Sequence, residues 1–457
     1  MNNDMMKHLL AHQVYALECM KCTDNLGIFY SPGTGKTAIA LSWSLDALKS
    51  GKIDNVLVIC PASLVDNWAL DIAEFTDFDH VSEADVALLK AKITVVSYQK
   101  TYKMSKKEVK HRDGYTSSSK EYALRDEVDR HWGAIFVDES HKLGNHKSIQ
   151  TLTCLKLAKM ADNRFVMTGT PVSGSTKTGG EDLQKLYGQL KFLNNGVWRN
   201  WTDFTSRFVT SWSKFYQPLA YKVEELHSLM KEMAISMRLE DCYDIPETTL
   251  TKIPCKISEK KAYFDIKAGK RIDYDIEIKA AGGQYNKLLQ LCSGHLITNH
   301  GTRVMNCSKD DALEEILDGT DDKVVIFCRF TASIDRVKGI CEKKKLRTVV
   351  YDGRSMGPTW PIFRDGKADV IVAQYAAGGP GLNLQISSTM VMYEPCFSTL
   401  DWDQATSRIR RIGQRKVCRY LLLTTPDTIE AQVYDSVLNG ISVTEDMLKR
   451  WTLNNDI

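Results

Sequence analysis

An apolar run, Leu26-Gly-Ile-Phe-Tyr30, leads into Ser31-Pro-Gly-Thr-Gly-Lys-Thr37, and a helical pattern, Thr37-Ala-Ile-Ala-Leu-Ser-Trp43, follows directly. A strand, a glycine loop and a helix in this order belong to a parallel sheet covered by helices. Gly33 and Gly35 let backbone N–H groups close around a polyphosphate with no Cβ in the way. Lys36 would set its ammonium on the β- and γ-phosphates, and the Thr37 hydroxyl would ligate Mg²⁺. The positive end of the helix would face the anion. Gly33, Thr34, Gly35, Lys36 and Thr37 are therefore the candidate nucleotide-binding residues. The full eight-residue pattern requires Gly at the position of Tyr30, so what remains is the shorter Gly-x-Gly-Lys-Thr core.

Three further segments extend this reading. Ala134-Ile-Phe-Val137 has strand character and delivers Asp138-Glu139-Ser140-His141 at its end. Asp138 would hold Mg²⁺ through water, and Glu139 would polarise the attacking water. Val166-Met-Thr-Gly-Thr-Pro171 is again a strand running into a turn. In Asp403-Gln-Ala-Thr-Ser-Arg408-Ile-Arg-Arg411-Ile-Gly-Gln414, the three-residue spacing of Arg408 and Arg411 predicts one helical face with two guanidiniums. Such a pair suits the spread charge of a transferring phosphoryl group.

These residues resemble helicase superfamily two, and within it the Snf/Swi-type branch of double-stranded-DNA translocases. The acidic tetrad at 138–141, Ala377-Gly-Gly-Pro-Gly-Leu-Asn-Leu384, Arg408-Ile-Arg-Arg-Ile-Gly-Gln414 and Leu289-Gln-Leu-Cys-Ser-Gly-His295 carry the resemblance, which runs from Leu10-Ala-His-Gln13 to about Gln432. It implies an α/β fold of two RecA-like parallel-sheet lobes with helical insertions between them, using ATP and Mg²⁺. By the resemblance Gln13 reads adenine, Gly381 joins the nucleotide site, and Arg408 and Arg411 are arginine fingers. Cys60-Pro-Ala-Ser63 and Val96-Ser97-Tyr98 would touch one DNA strand from the first lobe. Val325-Ile-Phe-Cys-Arg329-Phe330 and Gly379 to Asn383 would do so from the second. Ser407 stands where the family usually has Gly, and Cys328 replaces a common Ser.

Two alternating series support the two lobes. Runs at 56–60, 93–96, 134–137 and 164–167 form the first, and runs at 323–327, 348–351, 370–373, 390–393 and 420–423 the second. The expected organisation is a first lobe at 1–235, a linker at 236–255, and a second lobe at 256–457 opened by a helical segment. The first lobe would carry a basic insertion near 103–120 and a helical protrusion near 176–235. The basic stretch (Lys103, Lys106, Lys107, Lys110, Arg112, Lys120) holds Gly114 and Ser117-Ser-Ser119, so it reads as a mobile loop, either solvated or DNA-grasping. Trp198, Trp201, Phe204, Phe208, Trp212, Phe215 and Tyr216 read either as a small helical core or as base-stacking side chains.

A net charge of +3 does not mark bulk wrapping of nucleic acid, but a translocase needs only a positive groove. No run approaches the ~18 apolar residues of a membrane span. The N-terminal residues lack the apolar core of a secretory signal. The 12 cysteines are scattered and read as free thiols of a reducing cytosol. Cys19 and Cys22 form a lone Cys-x-x-Cys with no second pair, a poor basis for zinc. The expected function is an ATP-dependent translocase acting on double-stranded or forked DNA in replication, recombination or repair. A compact bacterial or phage-like form, in the cytoplasm of a bacterium or infected host, is the expected setting. A strand-separating or fork-remodelling helicase, or the motor subunit of a restriction or defence complex, are the alternatives.

Overall fold

The structure is a computed structural model that describes residues 9–75, 81–110, 116–172, 183–194, 196–212, 218–268, 281–355, 359–375, 382–443 and 447. The chain divides into two compact units, Met1–Tyr243 and Asp244–Ile457.

In the first unit the strands are β1 (Asn25–Tyr30), β2 (Val56–Cys60), β3 (Ile93–Ser97), β4 (Tyr102–Lys110), β5 (Thr116–Leu124), β6 (Trp132–Asp138), β7 (Ala161–Met167), β8 (Val209–Trp212), β9 (Pro218–Tyr221) and β10 (Ala234–Met237). Six of them form one sheet in the order β10-β1-β7-β6-β2-β3, with every pair parallel. Their apolar residues alternate between two covered faces. Val56, Val58, Cys60 and Phe136 pack with the helices Ala11–Cys22, Lys36–Lys49 and Val65–Glu74. Leu57, Ile59, Ile135 and Val137 pack on the opposite face with the helices Ile149–Leu157 and Leu186–Leu193. Both faces are dry, which is why these strands are continuous apolar runs. Each fully buried Val, Leu or Ile contributes about 1.5–3 kcal/mol.

The chain leaves β1 and re-enters the sheet at β2, beyond β7 and β6, so strand order reverses beside β1. In an open parallel sheet, ligands sit outside the carboxyl ends of the strands at such a reversal. The phosphate loop follows β1, Asp138 ends β6, and Thr168 follows β7.

The second unit has β11 (Thr248–Pro254), β12 (His295–Thr298), β13 (Gly301–Val304), β14 (Val324–Cys328), β15 (Thr348–Tyr351), β16 (Val370–Gln374), β17 (Thr389–Met392) and β18 (Cys418–Thr424). Its parallel six-stranded sheet runs β11-β18-β17-β14-β16-β15. Val324, Ile326, Val370 and Val391 pack against the helices Ser308–Asp318 and Thr331–Lys343. The helix Ala281–Cys292 contains the first four residues of the expected helical segment Leu289–His295, whose last residue opens β12. Among the described residues no helix is long and apolar enough to cross a membrane.

Two expectations differ from the structure. The stretch 236–255 is not a bare linker: β10, which ends at Met237, is an edge strand of the first sheet, and β11 is an edge strand of the second. Gly27 pairs with Ala234, where a Cβ at 27 would lie 2.7 Å from the Ala234 Cβ, so the glycine admits this edge. The basic insertion is not an irregular loop, because β4 and β5 pair antiparallel from Tyr102↔Leu124 to Lys110↔Thr116. Backbone pairing requires no apolar run, and Ser-rich composition concealed it; Arg112 and Gly114 lie outside the described residues. Within the protrusion, Trp198, Phe204 and Phe208 are buried in the core of the first unit, the first of the two readings, whereas Trp212 is exposed; Phe215 and Tyr216 lie outside the described residues.

Candidate active site

In the first unit, β1 hands the chain to the loop 31–35, and Ser31 N–H donates to the Met237 carbonyl of β10 at 2.9 Å. Gly33 and Gly35 have φ of 87° and 83°, the left-handed region that only glycine adopts without strain. Gly35 caps the helix Lys36–Lys49, with Thr37 in its first turn. Lys36 Nζ donates to the Tyr30 carbonyl at 2.7 Å and the Ser31 carbonyl at 3.2 Å, so the ammonium folds back over the loop.

The loop is held from below by the helix Ala11–Cys22. Gln13 Nε2 donates to the Thr34 carbonyl at 3.1 Å, while Gln13 Oε1 accepts from Leu10 N–H at 3.0 Å. His12 Nε2 lies 2.9 Å from the same carbonyl, which can only accept, so the Nε2–H tautomer faces the loop. A Cβ at Gly35 would fall 2.2 Å from Gln13 Nε2. Gln13, expected at adenine, thus also fixes the phosphate loop, and His12 is a support that the sequence reading missed.

The acidic pair closes the other side. Asp138 Oδ2 accepts from Trp68 Nε1 at 3.0 Å, and Oδ1 accepts from Glu139 N–H at 2.9 Å. Burial and the neighbouring Glu139 carboxylate push the Asp138 carboxyl up to about 6, against the opposing pull of the Trp68 indole and the Lys36 ammonium. Glu139 has φ of 50°, a left-handed backbone in a non-glycine residue. Its Oε2 lies 3.3 Å from His141 Nδ1, which is 3.1 Å from Thr168 Oγ1. Ser140 Oγ donates to Gln189 Oε1 at 2.8 Å, and Gln189 Nε2 donates to the Pro171 carbonyl at 2.9 Å. The Thr168–Pro171 turn is thereby tied to the acidic tetrad. It also touches the phosphate loop, since a Cβ at Gly169 would lie 2.6 Å from Pro32 Cδ. Trp68 and Gln189 were not legible as site residues. Of the two first-unit residues expected at DNA, Ser63 is half-buried in a short turn and Ser97 is buried.

In the second unit the helix Thr399–Thr406 stops before both arginines, so they do not share a helical face as expected. They converge from a turn instead. Arg411 Nη1 donates to the Leu382 carbonyl at 2.6 Å, and Arg408 Nη1 is 3.5 Å from the same oxygen. Arg408 Nε also donates to the Gln404 carbonyl at 2.6 Å. Gln414 Nε2 bonds the Gln385 and Ser387 carbonyls at 3.1 and 2.8 Å, which holds the turn against the segment containing Asn383. Asn383 Oδ1 is buried without a partner among the described residues. Gly379 and Gly381 lie outside the described residues. The Arg329 guanidinium lies over the Phe397 ring at 3.9 Å, and the Arg329 backbone N–H donates to Glu394 Oε2 at 2.7 Å. Glu394 was another unforeseen support.

The SNF2-related domain family matches residues 12–300, and the helicase conserved C-terminal domain matches residues 308–413. The chain is 24% identical over 465 residues to the "Probable global transactivator" of Orgyia pseudotsugata multicapsid polyhedrosis virus, covering 90% of this chain and 84% of that protein. It is 22% identical over 452 residues to the "DNA repair and recombination protein RDH54" of Saccharomyces cerevisiae, covering 87% of this chain but only 47% of the yeast protein. A solved "Sulfolobus solfataricus SWI2/SNF2 ATPase core in complex with dsDNA" aligns over 98% of this chain and 95% of its own, with a TM-score of 0.42 and 20% identity. With a family match across more than half of its length, the chain belongs to the SNF2-related family of DNA-dependent ATPases within helicase superfamily two.

Proposed function

We propose that this chain hydrolyses ATP to move along DNA and remodel DNA or protein–DNA complexes, in replication, recombination or repair. The observation that carries this is the grouping, outside one end of the first sheet, of the phosphate loop, Lys36 and the Asp138–Glu139 pair. The loop fits a polyphosphate: both glycines are left-handed, and the Lys36 ammonium already lies over backbone carbonyls. Thr37 and Asp138 would hold Mg²⁺ together with phosphate oxygens and water, a set that this cation accepts readily. When bound, Mg²⁺ would neutralise charge developing on the phosphates. Lys36 orients the phosphates, and Glu139 accepts a hydrogen bond from the attacking water. Arg408 and Arg411 supply positive charge to the transferring group; their shared hold on the Leu382 carbonyl supports a paired role. Ser63, Ser97, Arg329, Gly379 and Asn383 belong to the DNA-facing segments in this reading. Phosphate contacts carry no sequence information, so little sequence preference is expected.

The test is ATP turnover with no nucleic acid, duplex DNA, single-stranded DNA, forked DNA or duplex RNA. Strong stimulation by plain duplex DNA is expected. Stimulation by forks or single strands alone would replace the reading with fork remodelling or strand separation. Basal turnover that none of them raises would favour a motor subunit awaiting a partner.

The raised Asp138 carboxyl gives a pH dependence. Above about pH 6 it is ionised and ready for the cation; below that it must first lose a proton. The Mg²⁺ concentration for half-maximal ADP binding is therefore expected to rise about tenfold per pH unit below that point. A flat profile between pH 5 and 7.5 would remove Asp138 from the metal site.

A further inference from the structure

Each of the two first-unit segments assigned to DNA runs into an aromatic side chain that reaches the acidic pair. The turn Ala62–Leu64 contains Ser63 and continues directly into the helix Val65–Glu74. Trp68 lies in the first turn of that helix, and its buried indole donates to Asp138 Oδ2 at 3.0 Å. β3 ends at Ser97, and Tyr98 opens the turn that follows. The buried Tyr98 hydroxyl donates to the Asp138 carbonyl at 2.8 Å and lies 3.3 Å from the Glu139 carbonyl. The side chain and the backbone of Asp138 are thus held by different segments, both expected at DNA.

We propose that Trp68 and Tyr98 are positioning residues for the metal-binding carboxylate, and that Trp68 relays DNA engagement at the Ala62–Leu64 turn to Asp138. The relay rests on the translocase reading; the positioning role does not. Donors to a metal-binding carboxylate fix which lone pair faces the cation, and losing one commonly lowers metal affinity ~10–100-fold. Trp68 is tied to both ends: its backbone belongs to the helix that continues from the Ser63 turn, and its N–H ends on Asp138. A shift of that helix therefore changes the carboxylate's orientation without any contact between DNA and nucleotide.

The test uses the full chain with Trp68→Phe, which removes the N–H, and Tyr98→Phe, which removes only the hydroxyl. The readouts are ADP binding in EDTA and the Mg²⁺ concentration for half-maximal ADP binding, with and without duplex DNA. Without DNA, Trp68→Phe is expected to need on the order of tenfold more Mg²⁺, and Tyr98→Phe, which frees the Asp138 backbone and not the carboxylate, a smaller increase, with ADP affinity in EDTA unchanged in both. In the wild type, duplex DNA is expected to lower the Mg²⁺ requirement, and Trp68→Phe to abolish that decrease. Wild-type Mg²⁺ requirements in both variants would overturn the positioning role, and Tyr98→Phe decides it if Trp68→Phe fails to fold. A DNA effect retained in Trp68→Phe, or absent from the wild type, would overturn the relay. If duplex DNA binds but does not stimulate wild-type turnover, the translocase reading fails and takes the relay with it, while the DNA-free titration still decides the positioning role.

Discussion

Arg411→Ala is expected to retain ATP binding and to lower turnover on the order of 10³-fold or more, as removal of an arginine finger does. The structure separates this residue from Arg408. Arg411 is half-buried and meets the Leu382 carbonyl through one guanidinium nitrogen. Arg408 is only 5% exposed and is also bonded through Nε to the Gln404 carbonyl. Removing Arg408 leaves a buried carbonyl short of a charged donor, at a cost of about 1.5–3 kcal/mol. In a unit of this size, that lowers the melting temperature by roughly 3–12 °C. Arg408→Ala should therefore lose turnover and also melt below Arg411→Ala, because Arg408 is buried and Arg411 only half-buried. Near-normal turnover in Arg411→Ala, measured at saturating ATP and DNA, would refute the finger role. Equal melting of the two variants would refute the division between them.

The parts of this site that were legible in the sequence are contiguous. A phosphate loop needs its glycines, lysine and threonine side by side, and the acidic pair sits at the end of its own strand, so local pattern suffices. The sheets were legible for the same reason: a strand buried on both faces must be apolar throughout. The supporting residues were not, because their partners are remote in the chain. Trp68 lies 70 residues from Asp138, Gln189 lies 49 from Ser140, and Glu394 lies 65 from Arg329. No local period announces such a bond. The strand Ala234–Met237 was missed because it is short and only partly buried at a sheet edge, without an apolar run. Arg408 and Arg411 show the converse. Their spacing fits a helix, yet the helix ends at Thr406, and hydrogen bonds to the Leu382 carbonyl bring the two together. Spacing identified the pair but not the conformation that joins them.

Glu139→Gln is expected to bind ATP with near wild-type affinity and to turn it over about 10²–10⁴-fold more slowly, the range for loss of a positioned general base. The exchange is nearly isosteric, so the contacts that shape the residue persist. The Glu139 carbonyl still accepts from Lys142 N–H at 3.1 Å, and the Tyr98 hydroxyl still lies beside it. What changes is the charge that draws a proton from water. The backbone gives an independent check. Glu139 sits at φ 50°, a conformation that costs a non-glycine residue on the order of 1 kcal/mol. The surrounding hydrogen bonds hold it there, which aims the side chain away from the path of the strand. Glu139→Gly relieves that strain, so it should be as stable as the wild type or more so, while losing turnover as fully as Glu139→Gln. A residue chosen for stability alone would show the opposite order. If Glu139→Gly melts well below the wild type, the strained backbone is not a feature of the folded site; steady turnover by Glu139→Gln would move the base elsewhere.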